Sequence, residues 1–175
     1  DQVLLMTKVG LRWDDDRGDR FFDTASATGE PIAVYRNLRA DSIRTEVERS
    51  LKRLRTDHID LLQCHWPDPT TPIEETMAAM AVLVREGKVR AIGVSNFNTD
   101  LLARSARALG DIPLTSTQPH YSLLTRKIEQ KILPWCHKHN VGVIAYSPME
   151  RGLLTGTITP DRVFPENDGR SDDPL

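Results

Sequence analysis

Five short runs punctuate the chain, at residues 3–7, 59–64, 89–94, 114–118 and 141–146, apolar and rich in Val, Ile and Leu except for Leu114-Thr115-Ser116-Thr117-Gln118, which holds a single leucine. Apolar residues on consecutive positions suit strands covered on both faces, as in a parallel sheet; a half-exposed strand alternates apolar with polar. The stretches between them carry a helical period. Residues 42–54 place Ile43, Val47, Leu51 and Leu54 on one stripe behind Asp41, which predicts a helix capped by that aspartate. Thr71-Pro72-Ile73-Glu74 reads as a capping box with proline at the first helical position. Ile73, Met77, Met80 and Val84 form that helix's apolar face, and Gly87 stops it. A third helix is predicted over 99–109, closed by Gly110. A fourth covers 125–140, with Ile128, Ile132 and Trp135 inward and a kink at Pro134.

Strand starts at 59, 89, 114 and 141 stand 30, 25 and 27 residues apart, which is room for a strand, a crossover helix and two short loops. Right-handed crossovers at this spacing build either a barrel or a doubly wound sheet. The first interval is longer, at 56 residues, and its excess is residues 11–40. Phe21-Phe22-Asp23 and Val34-Tyr35-Arg36 flank Gly29-Glu30-Pro31 there, the pattern of a hairpin. Such an excursion either serves the mouth it overhangs or is a solvated surface loop.

Charge and length narrow the classes. A net charge of -2 over 175 residues leaves no footprint for nucleic acid or an anionic membrane. No apolar run reaches the ~18–20 residues of a membrane span, and no signal-peptide pattern is visible. Cys64 and Cys136 have no metal-ligand spacing, so no metal site is expected, and the expected setting is cytoplasmic. The chain opens on Asp1-Gln2 and closes on a polar stretch, residues 157–175, so the 175 residues read as one incomplete domain cut from something longer.

Each apolar run ends in polar chemistry: Thr7-Lys8-Val9-Gly10, Cys64-His65-Trp66-Pro67, Ser95-Asn96-Phe97, Gln118-Pro119 and Ala145-Tyr146-Ser147-Pro148. In a β/α architecture the carboxyl ends of parallel strands face one mouth. Lys8 is either a solvated side chain or a cation that acidifies a neighbouring acid. His65 is either a satisfied structural group or a neutral imidazole that donates to a carbonyl oxygen. Ser95 and Asn96 suit a strand-to-helix turn equally with holding a planar amide, and a buried Gln118 needs partners in either case. Tyr146 is a core-edge aromatic or a flat platform for a cofactor ring. Beyond it, Ser147, Met149 and Gly152 lie in a segment whose glycines allow backbone amides to approach a phosphate. Neither GxGxxG nor a Walker A motif occurs.

With these sites in view, the chain resembles the aldo-keto reductases. The resemblance rests on Thr7-Lys8-Val9-Gly10, Asp60-Leu61-Leu62-Gln63-Cys64-His65-Trp66-Pro67, Glu86-Gly87-Lys88-Val89-Arg90-Ala91-Ile92-Gly93-Val94-Ser95-Asn96-Phe97, Gln118-Pro119-His120-Tyr121-Ser122-Leu123-Leu124 and Tyr146-Ser147-Pro148-Met149. It implies an α/β fold, a partial TIM (β/α)8 barrel with about five of eight parallel strands, equivalent to strands three to seven. It also implies hydride transfer between NADP(H) and a small-molecule carbonyl substrate. Lys8 and His65 resemble the catalytic lysine and histidine. Ser95, Asn96 and Gln118 resemble the residues that bind the nicotinamide carboxamide, and Tyr146 the ring that stacks on the nicotinamide. Ser147, Met149 and Gly152 fall in the pyrophosphate loop. Trp13, Tyr35 and Trp66 are the expected substrate-pocket residues. The family's aspartate and tyrosine precede its lysine strand, and Phe22-Asp23-Thr24-Ala25, which mimics the aspartate motif, follows the lysine here and reads as a decoy. The missing barrel portions are expected from a longer chain. Two alternatives stay open: a cofactor-binding regulatory subunit like the potassium-channel β-subunits, or an inactive fragment.

Overall fold

The computed structural model describes residues 3–159, 161–165, 168 and 170; the rest of the polar tail expected over 157–175 lies outside the described residues. Five parallel strands form the sheet in the order β1 (Met6–Val9), β5 (Ile59–Cys64), β6 (Val89–Ser95), β7 (Leu114–Gln118) and β8 (Gly142–Val143). The crossovers carry α1 (Ala40–Leu54), α2 (Ile73–Arg85), α3 (Thr99–Leu109) and α4 (Ile132–His139). A separate antiparallel sheet, ordered β2 (Leu11–Arg12), β4 (Pro31–Arg36) and β3 (Asp19–Ala25), rises between β1 and α1. The architecture is the α/β, partial-barrel fold expected from the strand spacing and the resemblance.

Alternation along the strands sorts the side chains into two faces. Val9, Leu62, Cys64, Ile92 and Val94 point at the helices and are almost fully buried with Ile43, Val47, Met77, Met80 and Leu102. Removing this apolar surface from water is the main force holding helices to sheet. The other face is polar. Cross-strand register aligns Lys8 with Gln63, Gln63 with Gly93 and Gly93 with Ser116 in one layer. A Cβ on Gly93 would overlap Ser116 Oγ and come within 3.0 Å of Gln63 Cγ, so glycine makes room for the two polar side chains.

Several boundaries differ from the sequence reading. The first strand begins at Met6 rather than at residue 3, and Val3 and Leu4 are 76% and 75% exposed. Asp41 does not cap α1; Arg39 holds the cap position, and the Asp41 carboxylate sits in the first turn accepting from Arg17 Nη2 at 2.8 Å. Leu54, placed on the buried stripe, is 47% exposed. The capping box does not form, because Thr71 Oγ1 donates to Asp68 Oδ2 at 2.7 Å and Pro72 is the cap residue. The fourth helix is broken: a 3-10 turn over Lys127–Gln130 ends at Lys131, and α4 starts at Ile132. Pro134 therefore sits in the first turn of α4, where its missing N–H leaves no helical bond unmade. The last strand is only two residues long. Beyond Thr117 its neighbour offers Pro119, which lacks a donor, so pairing continues as isolated bonds from Ile144 N to Thr117 O and from Tyr146 N to Pro119 O. The hairpin forms as read, with Phe22 opposite Val34, and gains a third strand, β2, that the pattern did not indicate.

Candidate active site

Of the residues singled out at the strand ends, Ser95, Asn96 and Tyr146 are joined by side-chain hydrogen bonds, and His65 and Gln118 join them through their backbone carbonyls. Ser95 Oγ donates to the Gln118 carbonyl at 2.7 Å, tying the ends of β6 and β7. Asn96 takes a left-handed conformation at φ 63 and turns its amide back across the strand ends. Its Nδ2 donates to the His65 carbonyl and to Ser95 Oγ, both at 3.1 Å, and its Oδ1 accepts from the Tyr146 hydroxyl at 3.0 Å. His65 is linked to the other side as well, donating its backbone N–H to the Val9 carbonyl at 2.9 Å. One amide side chain thus spans from β5 to the segment after β8.

Lys8 lies one layer below, level with Gln63, and its charge reaches His65. Burial first, then the Lys8 cation, push the His65 imidazole below its usual pKa, so the ring is neutral at neutral pH. Burial raises the Tyr146 phenol, which therefore keeps its proton and donates to Asn96. Gln63 Nε2 and Ser116 Oγ are buried without a partner among the described residues. Unpaired polar atoms at such depth cost about 1–3 kcal/mol each, so this interior is built for polar company.

The rim is less uniform. Trp66 packs on Phe21 of the hairpin, centroid to centroid 5.2 Å, and Arg36 lies over the Phe21 ring at 4.7 Å. Tyr35 neighbours Arg36 on β4, so its side chain leaves the opposite face of the hairpin, the face of Arg20 and Arg12. Trp13 is 68% exposed, next to Asp14, which pairs with Arg49 of α1. Of the three pocket residues expected, Trp66 lines a cavity together with Asn96. Asp23, in the decoy motif, is exposed and paired with Arg20. A cavity of about 580 Å³ opens on the outer side of Asn96, lined by Trp66, Phe97, Pro119, His120, Thr125 and Ile128 among others.

Ser147, Met149 and Gly152 lie in and just before a 3-10 turn, Glu150–Thr155, with left-handed backbone at Ser147, Glu150, Arg151 and Gly152. Three of those four are not glycine, a costly conformation that surrounding contacts must hold. The holding group is one that the sequence reading passed over. Glu150 accepts from Ser122 Oγ, from Thr125 Oγ1 at 2.9 Å and from His120 Nε2 at 3.2 Å. His120 in turn stacks on Tyr146, with centroids 5.1 Å apart and planes 13° from parallel. The signal was available in Gln118-Pro119-His120-Tyr121-Ser122, a run of polar and aromatic residues directly after a strand.

Among the described residues no group of His, Cys, Asp and Glu has the arrangement of a metal site, and no helix is long and apolar enough to cross a membrane. Both cysteines are free and buried, and burial pushes the Cys64 thiol up to about 12.

Parallel strands joined by crossover helices, with polar side chains gathered at their carboxyl ends, define part of a (β/α)8 barrel and its mouth. The chain belongs to the Aldo/keto reductase family, which matches it over residues 1–173. It is 41% identical to the aldo-keto reductase YhdN of Bacillus subtilis (strain 168) over 174 residues, 99% of this chain and 47% of that protein. It is 41% identical over 166 residues to the NADH-specific methylglyoxal reductase of Escherichia coli (strain K12), 93% of this chain and 48% of that protein. The solved structure of the glycerol dehydrogenase of Gluconobacter oxydans superposes with a TM-score of 0.83 at 41% identity, covering 99% of this chain and 49% of that one. The chain spans about half the length of the relatives it matches.

Proposed function

We propose that the protein is a cytoplasmic, nicotinamide-dependent oxidoreductase that reduces aldehydes or ketones to alcohols, with NADP(H) as its dinucleotide. The observation that carries this reading is the coupling of Lys8 to a neutral His65 beside the bonded group of Ser95, Asn96, Gln118 and Tyr146.

The donor set suits the cofactor. The Gln118 side-chain amide supplies both a donor and an acceptor for a planar carboxamide, Asn96 Oδ1 and Ser95 Oγ keep lone pairs that accept from it, Tyr146 offers a flat ring, and unpartnered polar atoms lie in the layer beneath. A bound nicotinamide supplies the hydride. The chain's own residues then handle orientation and charge. His65, neutral, donates a ring N–H to the carbonyl oxygen and fixes its direction. Lys8 places a positive charge where that oxygen becomes negative. The family's tyrosine and aspartate have no counterpart at the matched positions of this chain; in this reading they come from sequence outside the 175 residues. Relatives named for methylglyoxal and for glycerol point to a small, oxygen-rich carbonyl compound as the substrate class.

The test is turnover by the full-length protein of NADPH and NADH with small aldehydes such as methylglyoxal and glyceraldehyde. His65→Ala is expected to lower kcat/KM by about 10²–10³-fold while dinucleotide binding persists. An unchanged rate in that variant refutes the assignment of His65. Tight dinucleotide binding without turnover of any aldehyde supports a regulatory subunit instead. Lys8→Met removes the nearby cation, so the His65 pKa must rise toward its usual value in an imidazole NMR titration.

A further inference from the structure

Tyr146 does not stand alone. Its ring lies nearly parallel to that of His120, and the two residues also bridge through their backbones across the ends of β7 and β8. The Tyr146 hydroxyl is fixed by Asn96 Oδ1 and its amide by the Pro119 carbonyl. With one face of the ring covered by an imidazole, the phenol can turn neither about χ1 nor about χ2 without losing the stack. His120 is itself fixed through Nε2, which lies 3.2 Å from both oxygens of Glu150.

Glu150 belongs to the strained turn of Ser147, Met149 and Gly152, which the family resemblance implies takes the pyrophosphate of the dinucleotide. Its carboxylate also takes the Ser122 and Thr125 hydroxyls, and these hold it ionised, below its usual pKa range. The same carboxylate therefore pins the loop after β7, the turn after β8 and the ring that backs Tyr146. Ser122 is buried while His120 and Glu150 are partly exposed, so the join is a half-buried one with three donors converging on one carboxylate.

We infer that His120 and Glu150 are positioning residues: His120 backs the Tyr146 platform so that it meets a nicotinamide ring flat, and Glu150 couples that platform to the turn that takes the pyrophosphate. This rests on the nicotinamide-dependent reading above and adds two residues to it. Neither touches the reacting carbonyl, so their effect is on the dinucleotide.

The experiment compares two probes on the full-length protein: NADP(H), and 2′-phospho-ADP-ribose, which has the phosphates but no nicotinamide. His120→Ala is expected to weaken NADPH binding about tenfold, the worth of an aromatic stack, with 2′-phospho-ADP-ribose binding and the carbonyl KM unchanged. His120→Phe, which restores a ring, is expected to recover most of that loss. His120→Gln keeps a hydrogen bond to Glu150 but loses the stack, and it stands in with the same expectation should the alanine variant not fold. Glu150→Ala is expected to weaken both probes, because the turn loses its peg. Equal NADPH affinity in wild type and in the ring-deleting variants overturns the role of His120, as does an equal loss for both probes. A Glu150→Ala variant that binds both normally overturns the coupling. A wild-type protein that binds neither NADPH nor NADH removes the functional reading and this inference together.

Discussion

The segment after β1 and the segment after β8 both leave the sheet at the end that carries His65 and Asn96, but they are held by different means. The first, residues 10–39, brings its own ladder: β3 and β4 pair along the hairpin, and β2 joins them. Its base is tied to α1 through Gly10 N to Glu46 at 3.0 Å, Arg12 to Ser42 at 2.8 Å, Arg17 to Asp41, and the Arg49–Asp14 pair. The second has no ladder. It relies on left-handed turns, on Glu150 with three donors, and on Arg170 Nη1 donating to the Arg151 carbonyl at 3.2 Å. Backbone hydrogen bonds spread the work over many residues, so few single changes matter in the hairpin. A turn pinned by a few side chains concentrates it. This contrast suits a fixed wall on one side of the mouth and a more yielding turn on the other.

The contrast breaks first at the pivot of the hairpin. Gly10 sits at φ 100, and a Cβ there would overlap the side chain of Leu38, which is buried. Gly10→Ala adds a strained backbone to an overpacked core and is expected to cost about 3 kcal/mol of stability, read from denaturant midpoints of the full-length protein. A loss below ~1 kcal/mol would show that the base of the hairpin is as yielding as the turn after β8.

A smaller and pH-dependent effect comes from Glu46. Burial raises its carboxyl to about 7. A raised carboxyl is neutral in the fold below the unfolded value of ~4.3, and its contribution to stability is lost as pH climbs through 7, where the fold must hold a charge that water solvates better. Glu46→Gln keeps an acceptor for Gly10 N without that charge. It is expected to gain about 1–2 kcal/mol at pH 8, allowing for the side chain's partial exposure, and to gain only a small part of that at pH 5. Melting curves at the two pH values check the sign, and a gain at pH 5 only would reverse the argument.

Local rules carried the reading wherever one residue type has one physical use. The β5 and β6 runs and the α3 helix were legible because buried parallel strands are rich in apolar residues and Gly110 stops a helix, while β7, Leu114-Thr115-Ser116-Thr117-Gln118, was legible chiefly from its spacing. The apolar run at residues 3–7 looked the same, yet an apolar run does not state its register, and the ladder starts at Met6. Asp41 and Thr71 are good caps in isolation and were drawn away by Arg17 and Asp68, partners distant or hidden in the chain. The site shows the same division. Lys8, His65, Asn96, Gln118 and Tyr146 were singled out because each stands at or just past the end of a predicted strand. The tie between His120 and Glu150 was not, since it joins two loops 30 residues apart whose shapes are set by tertiary contacts.

The smallest expected effect tests the wall directly. Phe21 sits in the bulge between Arg20 and Phe22, touching Trp66 on one side and the Arg36 guanidinium on the other. Phe21→Ala deletes that contact and leaves the β3–β4 ladder intact. The expected cost is about 1 kcal/mol, the worth of one aromatic pair with its cation. If the ladder holds the hairpin, amide exchange in β3 and β4 stays slow in this variant while Trp66 fluorescence shifts toward that of a solvated indole. Exchange that accelerates across the whole hairpin would instead mean that Phe21 pins this segment much as Glu150 pins the other, and the two sides of the mouth would then work by one principle.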